Sequence, residues 1–186
     1  MALATMTKSA MALLVRRAEV ADAAAIASSH VRSWQSGYAG VVSDEFLKSL
    51  GTDLPQRTLR WQTQILGAEA EDWFILVGEL DGEVVGWLSG GAYRGTDSDE
   101  PLLGEVHACY VDPARWRQGV GSALMAEALD RLARAGYSRV ALWVLADNLR
   151  ARAFYEHHGW LADGAHKIFA VANERHEEVR YRRFLP

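Results

Sequence analysis

Val111-Asp112-Pro113-Ala114-Arg115-Trp116-Arg117-Gln118-Gly119-Val120-Gly121-Ser122 is a strand end, a turn and a helix start in twelve residues. The run Leu103 to Val111 is strand-like and Asp112-Pro113 ends it. From Val120 the residues Leu124, Ala128, Leu129 and Leu132 recur at helical spacing, with Glu127, Asp130, Arg131 and Arg134 opposite, until Gly136 stops the helix. A glycine-rich turn between strand and helix can hold a phosphate: Gly119 and Gly121 present no side chain, and the unpaired first-turn amides and the helix dipole face the anion. Gly-x-Gly alone is equally compatible with tight packing of helix on sheet. ATP and NAD loops are disfavoured, since Gly-x-x-x-x-Gly-Lys-Ser/Thr is absent and Leu124 stands where Gly-x-Gly-x-x-Gly needs its third glycine.

Downstream, Arg139 to Leu145 reads as a nearly continuous apolar strand and Asn148 to His158 as a helix stopped by Gly159. Trp160 to Val171 and Glu178 to Leu185 are two further strands. Upstream, Trp73 to Leu80 and Val84 to Gly91 form a hairpin about Asp81-Gly82, a pair suited to positive φ. Leu13 to Arg17 is a short strand. Asp22 and Ser43 are helix caps, Gly37 and Gly40 interrupt the first helix, and Leu54 to Leu66 is helical. The order implies an α/β fold with a mixed sheet and helices on both faces. The chain has 186 residues, 49% of them hydrophobic, which suits one domain over residues 13–186 behind a disordered leader, residues 1–12.

No segment approaches a membrane span and the first residues lack a signal peptide's apolar run, so a soluble, cytoplasmic protein with no membrane partner is expected. Cys109 is the only cysteine, which excludes an internal disulfide and a four-cysteine metal site. A net charge of -4 with scattered basic residues argues against a nucleic-acid partner.

Taken together, the turn and the second helix resemble the GCN5-related N-acetyltransferase (GNAT) superfamily. Its acyl-CoA signature is Gln/Arg-x-x-Gly-x-Gly/Ala after a strand ending Val-x-Pro, here Val111-Asp112-Pro113. Asn148-Leu149-Arg150-Ala151-Arg152-Ala153-Phe154-Tyr155-Glu156-His157-His158-Gly159-Trp160 is similar to its Asn-x-x-Ala-x-x-Phe-Tyr-x-x-x-Gly-Phe/Trp helix. The resemblance is clear over Glu105 to Trp160 and implies a mostly antiparallel sheet of about seven strands. It also implies acetyl-CoA as co-substrate. The cradle would be the amides of Arg117, Gln118, Gly119, Val120, Gly121 and Ser122, with the Ser122 hydroxyl as an extra donor. Cys109, Tyr110 and Val111 would hold the pantetheine on a splayed strand, and Asn148 would touch the cofactor besides capping its helix. Trp116 departs from the signature where Gln or Arg is usual, leaving Arg115 and Arg117 to screen charge.

Transfer from a thioester to an amine needs a neutral amine, a polarised carbonyl and a proton for the thiolate. By resemblance Tyr155 is that acid, and Glu105 sits where some branches place the amine's base. Strand alternation would put Glu105, His107 and Cys109 on one face, so His107 could also be the base. Alternatively, Glu105 pairs with an arginine and His107 is merely a satisfied polar residue. Cys109 reads as an inert buried thiol, favouring direct transfer, and His157 and His158 as helix-stop caps rather than ligands, so no metal is expected.

The acceptor would lie among Trp34, Gln35, Tyr38, the region of Trp73 and Trp87, and the Arg94 to Glu100 loop, whose Asp97, Asp99 and Glu100 could attract a cation; the tryptophans could equally be core. A small-molecule amine is the first reading. A protein N-terminus or lysine, or a non-catalytic acyl-CoA sensor, are the others. The superfamily commonly dimerises, and the C-terminal strand with Tyr181, Phe184 and Leu185 could offer an exposed edge for a homodimer.

Overall fold

The computed structural model describes residues 12–70, 73–96 and 100–186. Strands β1 (Leu13–Arg17), β2 (Trp73–Leu80), β3 (Glu83–Ala92), β4 (Leu103–Val111), β5 (Arg139–Leu145), β6 (Leu161–Val171) and β7 (Glu174–Phe184) form one sheet in the order β1-β2-β3-β4-β5-β7-β6. Only β4 and β5 run parallel. Helices α1 (Ala23–Gly37), α2 (Asp44–Ser49) and α3 (Leu54–Ala70) precede β2, while α4 (Val120–Arg134) and α5 (Leu149–His157) flank β5 in the chain. The leader expected at residues 1–12 lies outside the described residues except at Ala12, whose amide donates to Asp81 Oδ1 at 3.0 Å.

Strand alternation sorts the core into two layers. Leu76 and Leu88 face α4, where they meet Leu124, Met125, Ala128 and Leu132, none of them more than 1% exposed. Ile75, Val77 and Trp87 face the other way, onto Ile26, Ala27, Trp61 and Ile65 of α1 and α3. Trp87 is therefore core, and Trp73 packs partly buried against the same layer.

Two features depart from the sequence expectation. The C-terminal strand is not an edge: β7 lies between β5 and β6, and Tyr181 is 1% exposed. It also begins at Glu174 rather than Glu178, because Ala172 and Asn173, with φ of 52° and 62°, close a tight hairpin onto β6. The charged residues Glu174 to Glu177 look like loop in sequence because much of this hairpin is solvent-exposed.

β4 and β5 pair only through Leu103 with Arg139, Gly104 with Val140 and Glu105 with Ala141, and then part. β4 stays on β3 as far as Val111 opposite Gly86, and β5 stays on β7 as far as Leu145 opposite Glu178. In the β3–β4 ladder Ser89 pairs with Ala108 but Gly90 with Val106, so His107 is an extra, bulged residue. A bulge bends and overtwists its strand, which turns β4 away from β5 and opens a wedge between them.

His30 of α1 is enclosed by Tyr110, Trp87, Trp61 and Trp34, with ring centroids 4.8, 5.0, 5.9 and 6.2 Å away. Burial, with Arg57 adding repulsion, pushes its pKa down from 6.5 to about 4. Between those values the unfolded chain binds a proton that the folded chain does not. This contribution to stability is therefore complete above about pH 6.5 and falls as pH drops toward 4, by about 3 kcal/mol. Urea unfolding at pH 7 and 4.5 should show that loss in the wild type and a smaller one in His30→Phe.

Candidate active site

The turn after β4 is pinned before it reaches α4. Asp112 accepts from the Ala114 amide at 3.0 Å and from Arg32 Nε of α1 at 2.7 Å, and its own amide donates to Val85 at 2.8 Å. The Val111 carbonyl accepts from the Ser33 hydroxyl at 3.0 Å and from the Trp116 indole at 2.8 Å. Arg117 and Gly119 then take left-handed φ of 64° and 84°. Alternating handedness curls successive amides into an anion-binding concavity. The amides of Val120, Gly121 and Ser122 precede the first helical bond, Ala123 to the Gly119 carbonyl at 3.0 Å, and so have no partner within the helix. A methyl group at 121 would stand 3.4 Å from Phe154 and 3.6 Å from Val111, so this glycine also brings α4 close to α5 and β4.

Side chains contribute less than the sequence suggests. Arg115 is committed to Glu83 at 3.0 Å. The Ser122 hydroxyl lies 2.9 Å from His158 Nε2, while His158 Nδ1 lies 2.8 Å from the Phe154 carbonyl. A carbonyl only accepts, so Nδ1 carries the proton and, in the neutral ring, Nε2 accepts the one proton Ser122 has. Ser122 is thus an extra donor only when His158 is charged. His158 does cap its helix end through Phe154, as expected, and His157 packs edge-on against it. Among the described residues no three His, Cys, Asp or Glu side chains cluster as metal ligands.

α5 starts on Asn148, whose side chain accepts from the Ala151 amide at 3.1 Å. Two turns later Tyr155 is 8% exposed and packs in the layer that holds Leu142 and Val144 of β5 and Cys109 of β4. Its hydroxyl has no hydrogen-bond partner among the described residues. Burial raises its pKa well above 10, and the neighbouring Cys109 and Tyr38 add to the rise. Burial alone pushes the Cys109 thiol up to about 12. Tyr38, at the end of α1, lies 3.3 Å from the Tyr110 hydroxyl, so three phenols gather where β4 and β5 separate.

The expected single face of Glu105, His107 and Cys109 is not formed. The bulge at His107 reverses the alternation: Val106 and Cys109 both face α4, and Glu105 points the other way. Glu105 is 4% exposed and takes three bonds from Arg94, from its amide at 2.9 Å, Nε at 3.3 Å and Nη2 at 3.0 Å. His107 Nε2 lies 3.2 Å from the Ala92 carbonyl, which fixes the proton there and leaves Nδ1 as an acceptor with no partner among the described residues. Burial, then Arg94, holds its pKa below 6.5 despite the opposing pull of Glu105.

On the Glu105 side an open hollow of about 490 Å³ is lined by Arg94, Gly95, Thr96, Glu105, Trp143, His166 and Lys167. A smaller one of about 170 Å³ involves His30, Trp34, Phe46 and Arg57. Trp34 stands 4.6 Å from Tyr38 and 6.4 Å from Phe169 of β6, ring to ring. Glu100 is tied to Arg139 at 3.0 Å and Arg182 at 2.9 Å rather than offered to a cation; Asp97 and Asp99 lie outside the described residues. Sequence reasoning passed over Glu178, whose charge acts on Tyr38 from β7, and Arg150, whose guanidinium lies over Trp116. Neither carries a local signal, since both meet their neighbours only across the folded sheet.

A first-turn amide cradle beside strands that separate, with a protonated phenol at the separation, fits an extended thioester ending in a diphosphate. The sequence model of the Acetyltransferase (GNAT) family matches residues 34–160. The chain belongs to that family. An uncharacterized N-acetyltransferase, YuaI, of Bacillus subtilis is 32% identical over 134 residues, 72% of each chain. A mycothiol acetyltransferase of Sanguibacter keddieii is 36% identical over 107 residues, 54% of this chain but only 33% of that protein. Among solved structures, the PaiA N-acetyltransferase of Thermoplasma acidophilum in complex with coenzyme A shares the fold, with a TM-score of 0.70 at 19% identity over 90% of this chain and 98% of that one. This GNAT protein is accordingly an acyl-CoA-dependent N-acetyltransferase.

Proposed function

We propose that the protein transfers acetyl from acetyl-CoA directly to a primary amine of a small molecule. The observation that carries this reading is Tyr155: a buried, protonated phenol beside the β4–β5 wedge, its hydroxyl without a hydrogen-bond partner among the described residues. Bound acetyl-CoA supplies the thioester. The amides of Arg117 to Ser122 hold its diphosphate, with the α4 dipole behind them. Backbone at Cys109, Tyr110 and Val111 borders the pantetheine and polarises the acetyl carbonyl, and Asn148 orients the chain from α5. Tyr155 gives its proton to the departing sulfur.

His107 is the better base of the two candidates, because its Nδ1 has no partner among the described residues whereas the Glu105 oxygens are held by Arg94. In this arrangement Glu105 positions Arg94 and tempers the His107 charge. His107→Gln should lower kcat/KM by up to about a hundredfold. In the wild type the acid limb of kcat/KM should fall below pH 6.5, following the depressed imidazole, and should vanish in the variant. A limb that persists unchanged would transfer the role to another group.

Trp34 and Tyr38 wall the acceptor side. The separate hollow of about 490 Å³ beside Glu105, bounded by Arg94, Trp143 and Lys167, is the size of small-molecule sites, and several relatives are named for mycothiol, which favours a small acceptor over a protein lysine or N-terminus. An acetyl-CoA-dependent thiol-release assay over an amine panel tests this. Tight acetyl-CoA binding with no release for any amine would make the protein a sensor.

A further inference from the structure

The signature residue absent at Trp116 raises the question of which cation faces the donor. Arg32 and Arg115, which flank the turn, are each committed to a carboxylate, Asp112 and Glu83. Arg152, two residues after Arg150 on α5, donates to the Tyr181 hydroxyl and the Ala146 carbonyl. Arg117 and Arg150 meet no carboxylate among the described residues, and of these two only Arg150 is held in place, by an aromatic ring. Its guanidinium carbon sits 3.5 Å from the centroid of the Trp116 ring, whose indole nitrogen is fixed on the Val111 carbonyl at 2.8 Å. Gly37 also leaves room for it, since a methyl group there would approach Arg150 Nη2 to 3.3 Å. Arg150 is exposed as a whole, and partial desolvation holds its pKa below the ordinary guanidinium value against an opposing pull from Tyr38.

We infer that Arg150 binds a phosphate of coenzyme A, presented beside the cradle on the Trp116 indole as a platform. Stacking orients a planar guanidinium and leaves its edge donors free, which suits bidentate contact with phosphate oxygens. Trp116 comes from the turn after β4, and Arg150 from the first turn of α5. Their contact therefore spans the two elements that border the wedge, and a cation there replaces the charge the signature residue would carry. The substitution at 116 then relocates the charge rather than deleting it.

This rests on acetyl-CoA being the donor, and calorimetry separates the two claims. Acetyl-CoA binding by the wild type, Arg150→Gln and Arg150→Lys is measured at low and high salt, with equal thermal unfolding of all three as the check on folding. The expected result is a loss of about tenfold or more in Arg150→Gln, a flatter salt dependence, and partial recovery in Arg150→Lys. Acetyl-dephospho-CoA assigns the contact: a loss that persists marks the diphosphate, and one that disappears marks the 3′-phosphate. Equal affinity of wild type and Arg150→Gln would overturn the inference, as would a changed acceptor KM at unchanged acetyl-CoA affinity. Failure of the wild type to bind acetyl-CoA would overturn the functional reading and this one with it.

Discussion

Tyr155→Phe is expected to lower kcat about a thousandfold, within the range of general-acid effects, and to leave acetyl-CoA affinity within about twofold. The substitution removes one oxygen. The ring keeps its neighbours Phe154, Trp160 and Tyr181 at centroid distances of 5.5, 6.2 and 6.3 Å, and no hydrogen bond is lost. Stability should hardly change. The proton balance is less obvious, because a phenol above pKa 10 is a weak acid for a thiolate whose ordinary pKa is about 8.5. Cys109 resolves this. Burial pushes its half-buried thiol up to about 12, and a sulfur expelled in a similarly dry place would likewise be a stronger base than in water. Desolvation raises donor and acceptor together and keeps the transfer feasible, while at neutral pH the phenol stays protonated and ready. Single-turnover and steady-state rates read the effect; unaltered turnover would remove Tyr155 from the chemistry.

What the sequence revealed follows from how local each demand is. Gly119-Val120-Gly121 announced itself because a left-handed entry to a helix favours glycine, and Asp81-Gly82 because a tight hairpin needs positive φ. Asn148 and Tyr155 fell on one helix whose cap and core face are both readable at short range. The bulge at His107 was not legible: nothing in Glu105-Val106-His107 marks an extra residue, and its cause lies in pairing with Ser89 and Gly90 across the sheet. One unseen residue was enough to move Glu105 to the face opposite Cys109. Insertion of β7 between β5 and β6 is likewise a nonlocal choice, and it moved the expected edge into the sheet. The same holds for Ser122 with His158, 36 residues apart, and for Trp116 with Arg150.

Gly121→Glu should abolish measurable acetyl-CoA binding, whereas Gly121→Ala should keep affinity within a few-fold. The first carbon of any side chain at 121 has ordinary contact distances to Phe154 and Val111, so alanine fits without displacing α5. Glutamate cannot leave its carboxylate against the Phe154 ring, where no group would solvate it. The charge must turn toward the amides of Val120 and Ser122, where an anion is welcome at a helix start and where the diphosphate would sit. The helix therefore tolerates the substitution while the ligand does not. Two like charges about 5 Å apart at an effective dielectric near 20 repel by roughly 3 kcal/mol, and a diphosphate carries more than one. That repulsion alone exceeds a hundredfold in affinity, before the lost amide contacts are counted. Calorimetry together with thermal unfolding checks both halves. A Gly121→Glu protein that folds and still binds acetyl-CoA like the wild type would place the donor somewhere other than the first turn of α4.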